Sequence, residues 1–212
     1  MSNIAKLLIL IGVVIFIILI SAILVKNLHN MPEGEEDMAT EIINIYKEEL
    51  PAMRFIGKKY VVDDMENNTF SNKWDEWFHN GWFEQIEALT TTEWLEKHGD
   101  YIGLERMHQG GDPFEYSIGI FMPPDTKVPE GFIAVDFPAT ELGVGWVKGK
   151  MPEVFWAYDE VSERLVGEGY ISVFDEKGNK WSYERYNCPR FTEEDADGNV
   201  ILDYVFVIGY PK

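Results

Sequence analysis

The stretch ELGVGWVK at residues 141–148 opens a run of four predicted elements that decides the fold. Its small and apolar residues indicate a β-strand. A helix is predicted from Pro152 to about Leu165, because proline suits the first turn of a helix. Two more strand-like runs close the unit, at residues 180–186 and 201–210. The four elements therefore follow the order β-α-β-β.

The same order occurs earlier in the chain. An extended stretch is expected at residues 54–62, and a helix at residues 73–89, where aromatic side chains recur on one face. Two strand-like runs follow, around residues 101–108 and 114–122. Two β-α-β-β units in succession are typical of an antiparallel sheet with its helices segregated to one face. We therefore predict an α+β domain.

The N-terminal segment has a different character. From Leu7 to Val25 there are 19 residues without a charge, flanked by Lys6 and Lys26. At about 1.5 Å per residue, a helix of this length spans roughly the 30 Å hydrocarbon core of a bilayer. A cleaved secretory signal is the alternative, but its apolar core should be shorter and end in a small-residue cleavage site. We predict a single-pass transmembrane anchor at residues 1–26.

A juxtamembrane stalk is predicted at residues 27–50, followed by one domain at residues 51–212. The stalk begins with a polar, helix-breaking run at residues 32–37, and its later apolar residues fall at helical spacing. These residues are Ile42, Ile43, Tyr46 and Leu50. The number of lysines is equal on the two flanks of the anchor, and the α-amino group adds to the N-terminal side. This balance slightly favours an extracytoplasmic domain.

The chain is strongly acidic, with a formal net charge of −19. Residues 1–26 hold two lysines and no acidic residue, so residues 27–212 carry −21. This charge repels phosphate backbones, so direct nucleic-acid binding is not expected. Cationic small molecules and basic proteins are the favoured partners, and a general role of the charge in solubility is equally open.

Motifs for metal or cofactor chemistry are not found. The four histidines have no metal-ligand spacing, and the single cysteine, Cys188, has no partner for a Zn²⁺ site. The chain also has no glycine-rich phosphate loop, nucleophile elbow or dinucleotide fingerprint. We therefore expect no metal and no cofactor.

Glu184 is the carboxylate of most interest. Period-two alternation in the strand WSYERY, residues 181–186, places Ser182, Glu184 and Tyr186 on one face of a sheet. A glutamate among aromatics can be an ordinary exposed strand residue. It can also form the floor of an aromatic cleft, where low dielectric strengthens its attraction to a cation and ring faces add cation–π contacts.

Several short motifs resemble the GyrI-like small-molecule-binding family, which also forms the effector-binding domain of AraC-type activators. They are IFMPP at 120–124, VPEGF at 128–132, FPAT at 137–140, GWVKG at 145–149 and the block at 181–191. The resemblance extends from Pro51 to Lys212. It implies two pseudo-symmetric β-α-β-β modules that form a concave antiparallel sheet backed by two helices.

The resemblance also implies a cleft for lipophilic, often cationic compounds, with Glu184 as its central carboxylate. The wall residues implied are Tyr116, Trp146, Trp156, Tyr186 and Tyr204. Some family members hydrolyse reactive cyclopropane-containing compounds, and Glu184 would then be the general base. Unlike the regulators, this chain has no helix-turn-helix segment.

Three functions follow from these expectations. The first is a membrane-tethered module that binds cationic small molecules as a sensor or scavenger. The second is a detoxifying hydrolase. The third is a non-catalytic protein-interaction module that uses the acidic surface. Binding without chemistry is favoured, because no second titratable group accompanies Glu184 at the level of sequence motifs.

Overall fold

The computed structural model describes residues 40–110 and 114–210. Within these two ranges, no helix is both long and apolar enough to cross a membrane. The anchor predicted at residues 1–26 lies outside the described residues, as does the stalk up to residue 39.

The described residues form eight strands and four α-helices. The strands are β1 Glu41–Leu50, β2 Met53–Val61, β3 Tyr101–His108, β4 Glu115–Met122, β5 Ile133–Phe137, β6 Thr140–Gly149, β7 Asn179–Tyr186 and β8 Val200–Gly209. The helices are α1 Ser71–His79, α2 Trp82–Glu87, α3 Thr92–His98 and α4 Tyr158–Gly167. Short 3-10 turns occupy Val62–Asp64 and Glu153–Trp156.

All eight strands belong to one antiparallel sheet in the order β1-β6-β8-β7-β3-β4-β2-β5. The run β6-β8-β7 is the counterpart of β2-β4-β3, and the two runs meet where β7 pairs with β3. This order has the pseudo-two-fold symmetry expected of two β-α-β-β modules. The α+β class predicted from the sequence is confirmed.

Helices α1, α2 and α4 cover one face of the sheet, which we call the helix face. Trp77 of α1 and Ile86 of α2 pack with apolar residues of β2 and β4. Val161 and Leu165 of α4 pack with apolar residues of β6 and β8. The helix face therefore carries two separate cores, one in each module, with strands β3 and β7 between them.

The opposite face has its own core. Ile102 and Leu104 of β3 pack there with Tyr183 of β7 and Val205 of β8, and α3 contributes Trp94. The indole N–H of Trp94 donates to the backbone carbonyl of Phe121 at 3.0 Å. Helix α3 therefore packs on the face opposite to α1, α2 and α4, whereas the sequence predicted all helices on one face and two helices in total.

The helical spacing of Ile42, Ile43, Tyr46 and Leu50 does not correspond to a helix. Residues Glu41–Leu50 form the edge strand β1, which pairs with β6 along its length. The register shifts between Ile42 and Asn44, so that Ile42 and Ile45 both join the core of the helix face. The residues that suggested a helix do not share one face, because Ile42 packs with the core of the helix face, whereas Tyr46 and Leu50 pack with the core of the opposite face. Part of the predicted stalk thus belongs to the sheet.

The aromatic helix predicted at residues 73–89 is divided in two. Helix α1 ends at His79 and α2 begins at Trp82, and Gly81 between them has φ 63°. This left-handed conformation costs little for glycine, and it breaks the helix. The break turns Phe83 and Ile86 toward the core beside Trp77.

Candidate functional site

A cleft of about 310 Å³ opens on the helix face, where the two modules meet. Its floor comes from β3, β4 and β7, and its walls come from α1 with the preceding loop and from the turn at Glu153–Trp156. The lining is mostly aromatic or apolar, with a few small polar side chains and two carboxylates. The residues are Met65, Asn68, Thr69, Phe70, Ser71, Trp74, Glu105, Phe114, Tyr116, Pro152, Phe155, Trp156, Glu184 and Tyr186.

Glu184 lies on the floor and accepts two hydrogen bonds on one oxygen. The hydroxyl of Tyr186 donates to its Oε2 at 2.7 Å, and the hydroxyl of Tyr116 donates to the same atom at 2.9 Å. Trp74 in turn donates its indole N–H to the Tyr116 hydroxyl at 3.1 Å. These donors fix the orientation of the carboxylate, so that its position is set before a ligand arrives.

Gly103 makes this arrangement possible. It lies opposite Glu184 in the β3–β7 register. A Cβ at this position would lie 2.2 Å from the Tyr116 hydroxyl oxygen and 3.0 Å from Glu184 Oε2. The Tyr116 side chain cannot easily move away, because its ring is stacked on that of Phe70. The ring centroids are 4.5 Å apart, and the ring planes are 1° from parallel. Only glycine leaves room for the hydrogen bond between Tyr116 and Glu184.

A second carboxylate in the cleft, Glu105, was not predicted from the sequence. Its register partner is Ser182, whose hydroxyl donates to Glu105 Oε2 at 2.9 Å. The Tyr158 hydroxyl lies 3.3 Å from the same Ser182 oxygen. The pseudo-two-fold axis exchanges the pair Gly103–Glu184 with the pair Ser182–Glu105. Glu105 is therefore the symmetry counterpart of Glu184, and aligning the two β-α-β-β units in the sequence would have found it.

Both carboxyl groups have raised pKa values. Burial raises the pKa of Glu184, and the hydrogen bonds from Tyr186 and Tyr116 lower it in part. Burial, and next the negative charge of Glu184, raises the pKa of Glu105 to about 8. Both side chains keep some exposed surface, because they face the cleft, but protein atoms enclose them elsewhere. At neutral pH the free site therefore favours a protonated Glu105.

The phenols around the carboxylates stay protonated for the same reason. Burial, and then the charge of Glu184, raises the pKa of Tyr116 and of Tyr186 well above the usual value for tyrosine. Burial also raises the pKa of Tyr158 to about 12. The hydroxyls therefore remain hydrogen-bond donors across the physiological pH range.

Aromatic rings form the walls of the cleft. Trp74 lies against Tyr186 with ring centroids 4.5 Å apart. Trp156 stands at the mouth and is 65% exposed, so its ring is available for a ligand. Among the described lining residues there is no lysine, arginine or histidine. The site thus combines aromatic faces with two acidic groups that have no basic partner there.

The structure brings together four of the six site residues expected from the resemblance. Glu184, Tyr116, Tyr186 and Trp156 all line the cleft. The alternation predicted for β7 is also observed, since Ser182, Glu184 and Tyr186 share the helix face.

Trp146 and Tyr204 do not line the cleft. Trp146 lies on the opposite face, where it packs against Tyr46 at 5.7 Å and beneath the Arg190 guanidinium at 4.5 Å. Tyr204 is beside Glu184 in the β7–β8 register, but it is 2% exposed and donates its hydroxyl to the carbonyl of Val154 at 2.9 Å. The expected contact with a ligand is therefore replaced by core packing at both residues.

No group of three or more potential metal ligands comes together in the part of the chain that the structure describes. The two cleft carboxylates are accompanied by phenols and a serine hydroxyl rather than by further acids or histidines. The chemistry available in the cleft is therefore that of carboxylates, hydroxyls and ring faces.

By sequence, the chain matches no protein-family model and no curated protein. By structure it is similar to SAV2435 bound to tetraphenylphosphonium, with a TM-score of 0.55 and 12% identity over 78% of this chain and 94% of that one. It is also similar to a Staphylococcus aureus MU50 protein named for bacterial transcription regulation. The TM-score is 0.52 and the identity 13%, over 79% of this chain and 99% of that one. For EcmrR in a complex with DNA the TM-score is 0.50 and the identity 14%, over 97% of this chain and 70% of that one.

These similarities define the class of fold. The chain shares its fold with SAV2435 and with the Staphylococcus aureus MU50 protein. At 12–14% identity the comparison shows the fold alone.

Proposed function

We propose that this protein binds lipophilic cations in the cleft, with Glu184 as the central carboxylate. One observation carries the proposal: two carboxylates form the floor of an aromatic cleft whose described lining holds no basic side chain. A cation that enters replaces water with aromatic faces and a fixed negative group. The low dielectric of the cleft strengthens the attraction between the cation and the Glu184 carboxylate, and cation–π contacts add about 0.5–2 kcal/mol.

The shape of the cleft supports the same ligand class. A volume of about 310 Å³ lies at the lower end of the range for small-molecule pockets. SAV2435, which has a similar fold, is bound to tetraphenylphosphonium, a lipophilic cation. This supports testing the same ion here.

The test compares tetraphenylphosphonium with tetraphenylborate, which has the same four phenyl groups and the opposite charge. Calorimetric titration of the full chain should show binding of the phosphonium and none of the borate. Glu184→Gln should weaken phosphonium binding by about 10–100-fold, the size of one charge-assisted interaction. Glu163→Gln is the matched control, because Glu163 is exposed on α4 away from the cleft. Equal affinity for both ions, or an unchanged affinity in Glu184→Gln, would contradict the proposal.

We further propose that residues 1–26 tether the domain to a membrane, with the domain on the extracytoplasmic side. The support is the uncharged run from Leu7 to Val25. An arginine at the centre of a transmembrane helix costs about 2.5–3.5 kcal/mol. The double substitution Ile15→Arg and Ile17→Arg should therefore release the protein from alkali-washed membranes. Asn3→Arg, outside the run, should leave it attached, and a fully soluble wild-type chain would refute the tether.

Hydrolysis is a second candidate, and the position of Glu105 favours it. The sequence offered no second titratable group beside Glu184, whereas the structure provides one with a raised pKa. Glu184 could accept a proton from water as the water oxygen attacks a strained, electrophilic carbon. The protonated Glu105 would then donate a proton to the leaving carbon or heteroatom, which balances the addition of water.

Turnover of an activated cyclopropane distinguishes this candidate from binding alone. If the protein is a hydrolase, both Glu184→Gln and Glu105→Gln should abolish product formation, while Glu163→Gln should not. Binding of the compound without product formation by the wild-type chain would exclude hydrolysis of that class.

A further inference from the structure

The two cleft carboxyl groups occupy separate positions, and each has its own hydrogen-bond donors. Glu184 receives its hydrogen bonds from Tyr186 and Tyr116, whereas Glu105 receives its bond from Ser182. In the β3–β7 register they are diagonal neighbours, because Glu184 is opposite Gly103 and Glu105 is two residues further along β3. Diagonal neighbours on one face of a sheet lie about 7–8 Å apart at Cα and somewhat closer at Cβ.

Two other enclosed carboxylates in the described domain have basic partners. Asp203 is fully buried and pairs with Arg185 at 2.9 Å and also with Arg190. Glu115 pairs with Arg106 at 2.8 Å and Lys59 at 3.1 Å. The two cleft carboxylates have only hydroxyl donors among the described residues.

A single positive charge in the cleft therefore cannot compensate both carboxyl groups in their ionised form. When a monocation is beside Glu184, Glu105 must either remain protonated or carry an uncompensated charge in an enclosed site. A ligand with two positive centres compensates both carboxylates at once. The groups that face Glu105 are Glu184, Tyr116, Tyr158, Tyr204 and the Ser182 hydroxyl, and none of them is basic.

We propose that the cleft selects dicationic aromatic ligands, with one positive centre beside Glu184 and the other beside Glu105. The proposal rests on the cation-binding function proposed above and extends it to a ligand class. It also predicts a proton balance. A dication should displace the Glu105 proton on binding, whereas a monocation should leave that proton in place.

The test uses two cations of nearly the same shape. N,N′-dimethyl-4,4′-bipyridinium carries two positive nitrogens at opposite ends of a two-ring system, and 1-methyl-4-phenylpyridinium carries one. With the full chain at pH 7, the dication should bind at least about tenfold more tightly than the monocation. Titration in two buffers of different ionisation enthalpy should show greater proton release with the dication.

The variant Glu105→Gln should remove both differences, whereas Glu163→Gln, on the exposed surface of α4, should retain both. If Glu105→Gln does not fold, Ser182→Ala serves instead. Loss of the Ser182 hydrogen bond raises the pKa of Glu105 further, so the dication preference should fall at pH 7 and return at higher pH.

Equal affinity of the two cations for the wild-type chain, or an unchanged preference in Glu105→Gln, would overturn the dication proposal. It would also be overturned if tetraphenylphosphonium binds and neither pyridinium does. Failure of all three cations to bind would instead contradict the underlying cation-binding function, so the two failures are distinguishable.

Discussion

At the scale of single residues, the environment of Glu105 and Glu184 decides what the cleft can hold. Gly103 leaves space for the Tyr116 hydroxyl beside Glu184, and its symmetry counterpart Ser182 instead supplies a donor to Glu105. One change from glycine to serine in a repeated strand therefore gives the two carboxylates different partners. Two phenols support a charged Glu184, whereas a single hydroxyl and the neighbouring charge favour a protonated Glu105.

The raised pKa of Glu105 makes the stability of the domain depend on pH. The pKa is about 8 in the folded state, against 4.5 for an unperturbed glutamate. Between these values the folded state binds more protons than the unfolded state, so the free energy of unfolding falls as pH rises. We expect Glu105→Gln to remove this loss of stability with rising pH. At pH 8 the variant should be more stable than wild type by about 1–3 kcal/mol. This is less than the free energy that corresponds to the whole pKa shift, because the carboxyl group faces an open cleft.

Urea unfolding at pH 5, 6.5 and 8 measures this effect. The stability curves of wild type and Glu105→Gln should converge near pH 5 and diverge toward pH 8. The stability curve of Glu163→Gln, a change on the exposed surface of α4, should be parallel to that of wild type. Parallel curves for Glu105→Gln as well would show that Glu105 titrates normally in the folded protein.

At the scale of elements, helix α4 packs closely against two glycines of strand β6. A Cβ added at Gly145 would lie 2.4 Å from Val161 Cγ1, and one added at Gly143 would lie 3.0 Å from Leu165 Cδ2. Because Val161 and Leu165 are buried, the helix would have to move away from the sheet. The turn at Glu153–Trp156 directly precedes α4, so such a movement would also displace one wall of the cleft.

We expect Gly145→Ala to destabilise the protein by about 1–3 kcal/mol, because overpacking forces the backbone to shift. It should also weaken phosphonium binding through the displaced wall. Gly167→Ala is the matched control, since nothing lies within 4 Å of the added carbon at the end of α4. That change should be neutral or stabilising by about 0.5–1 kcal/mol. Thermal unfolding of the two variants gives the comparison, and similar losses in both would refute the close contact of α4 with β6.

At the scale of the whole molecule, the negative charge acts on stability and on ligand approach. The formal net charge is −19, and the ion pairs among the described residues do not cancel it. Most of these pairs are partly exposed, as in Lys47–Glu141, where both side chains are close to 40% accessible. Exposed pairs contribute little, about 0–1 kcal/mol each. Repulsion among the excess acids should therefore dominate the response to salt.

We expect the melting temperature to rise with ionic strength, because salt screens this repulsion. Between about 10 mM and about 300 mM NaCl the Debye length falls from about 30 Å to below 8 Å. A gain of about 1 kcal/mol corresponds to about 2–4 °C for a domain of this size. Differential scanning calorimetry across this range measures the trend. A falling melting temperature would indicate that attractive ion pairs outweigh the net charge.

The sequence by itself determined the order of elements within the two β-α-β-β units and the face of the central carboxylate. Hydrophobic periodicity and turn residues predicted β-α-β-β twice, and alternation in β7 placed Ser182, Glu184 and Tyr186 together. Both properties are local, because they follow from the repeat of a helix or a strand along a few residues. They therefore survive in any tertiary arrangement.

Only the tertiary structure decided which faces meet. Glu105 reaches the cleft because β3 pairs with β7 across more than seventy residues of sequence, and Trp146 misses it because the β6–β8 register turns it to the opposite face. The strand β1 was missed because Ile42, Tyr46 and Leu50 have helical spacing in the sequence, although the strand divides them between the two faces of the sheet. Register between distant strands depends on contacts that no local pattern contains, and for this reason only the fold shows that Glu105 and Glu184 share one cleft.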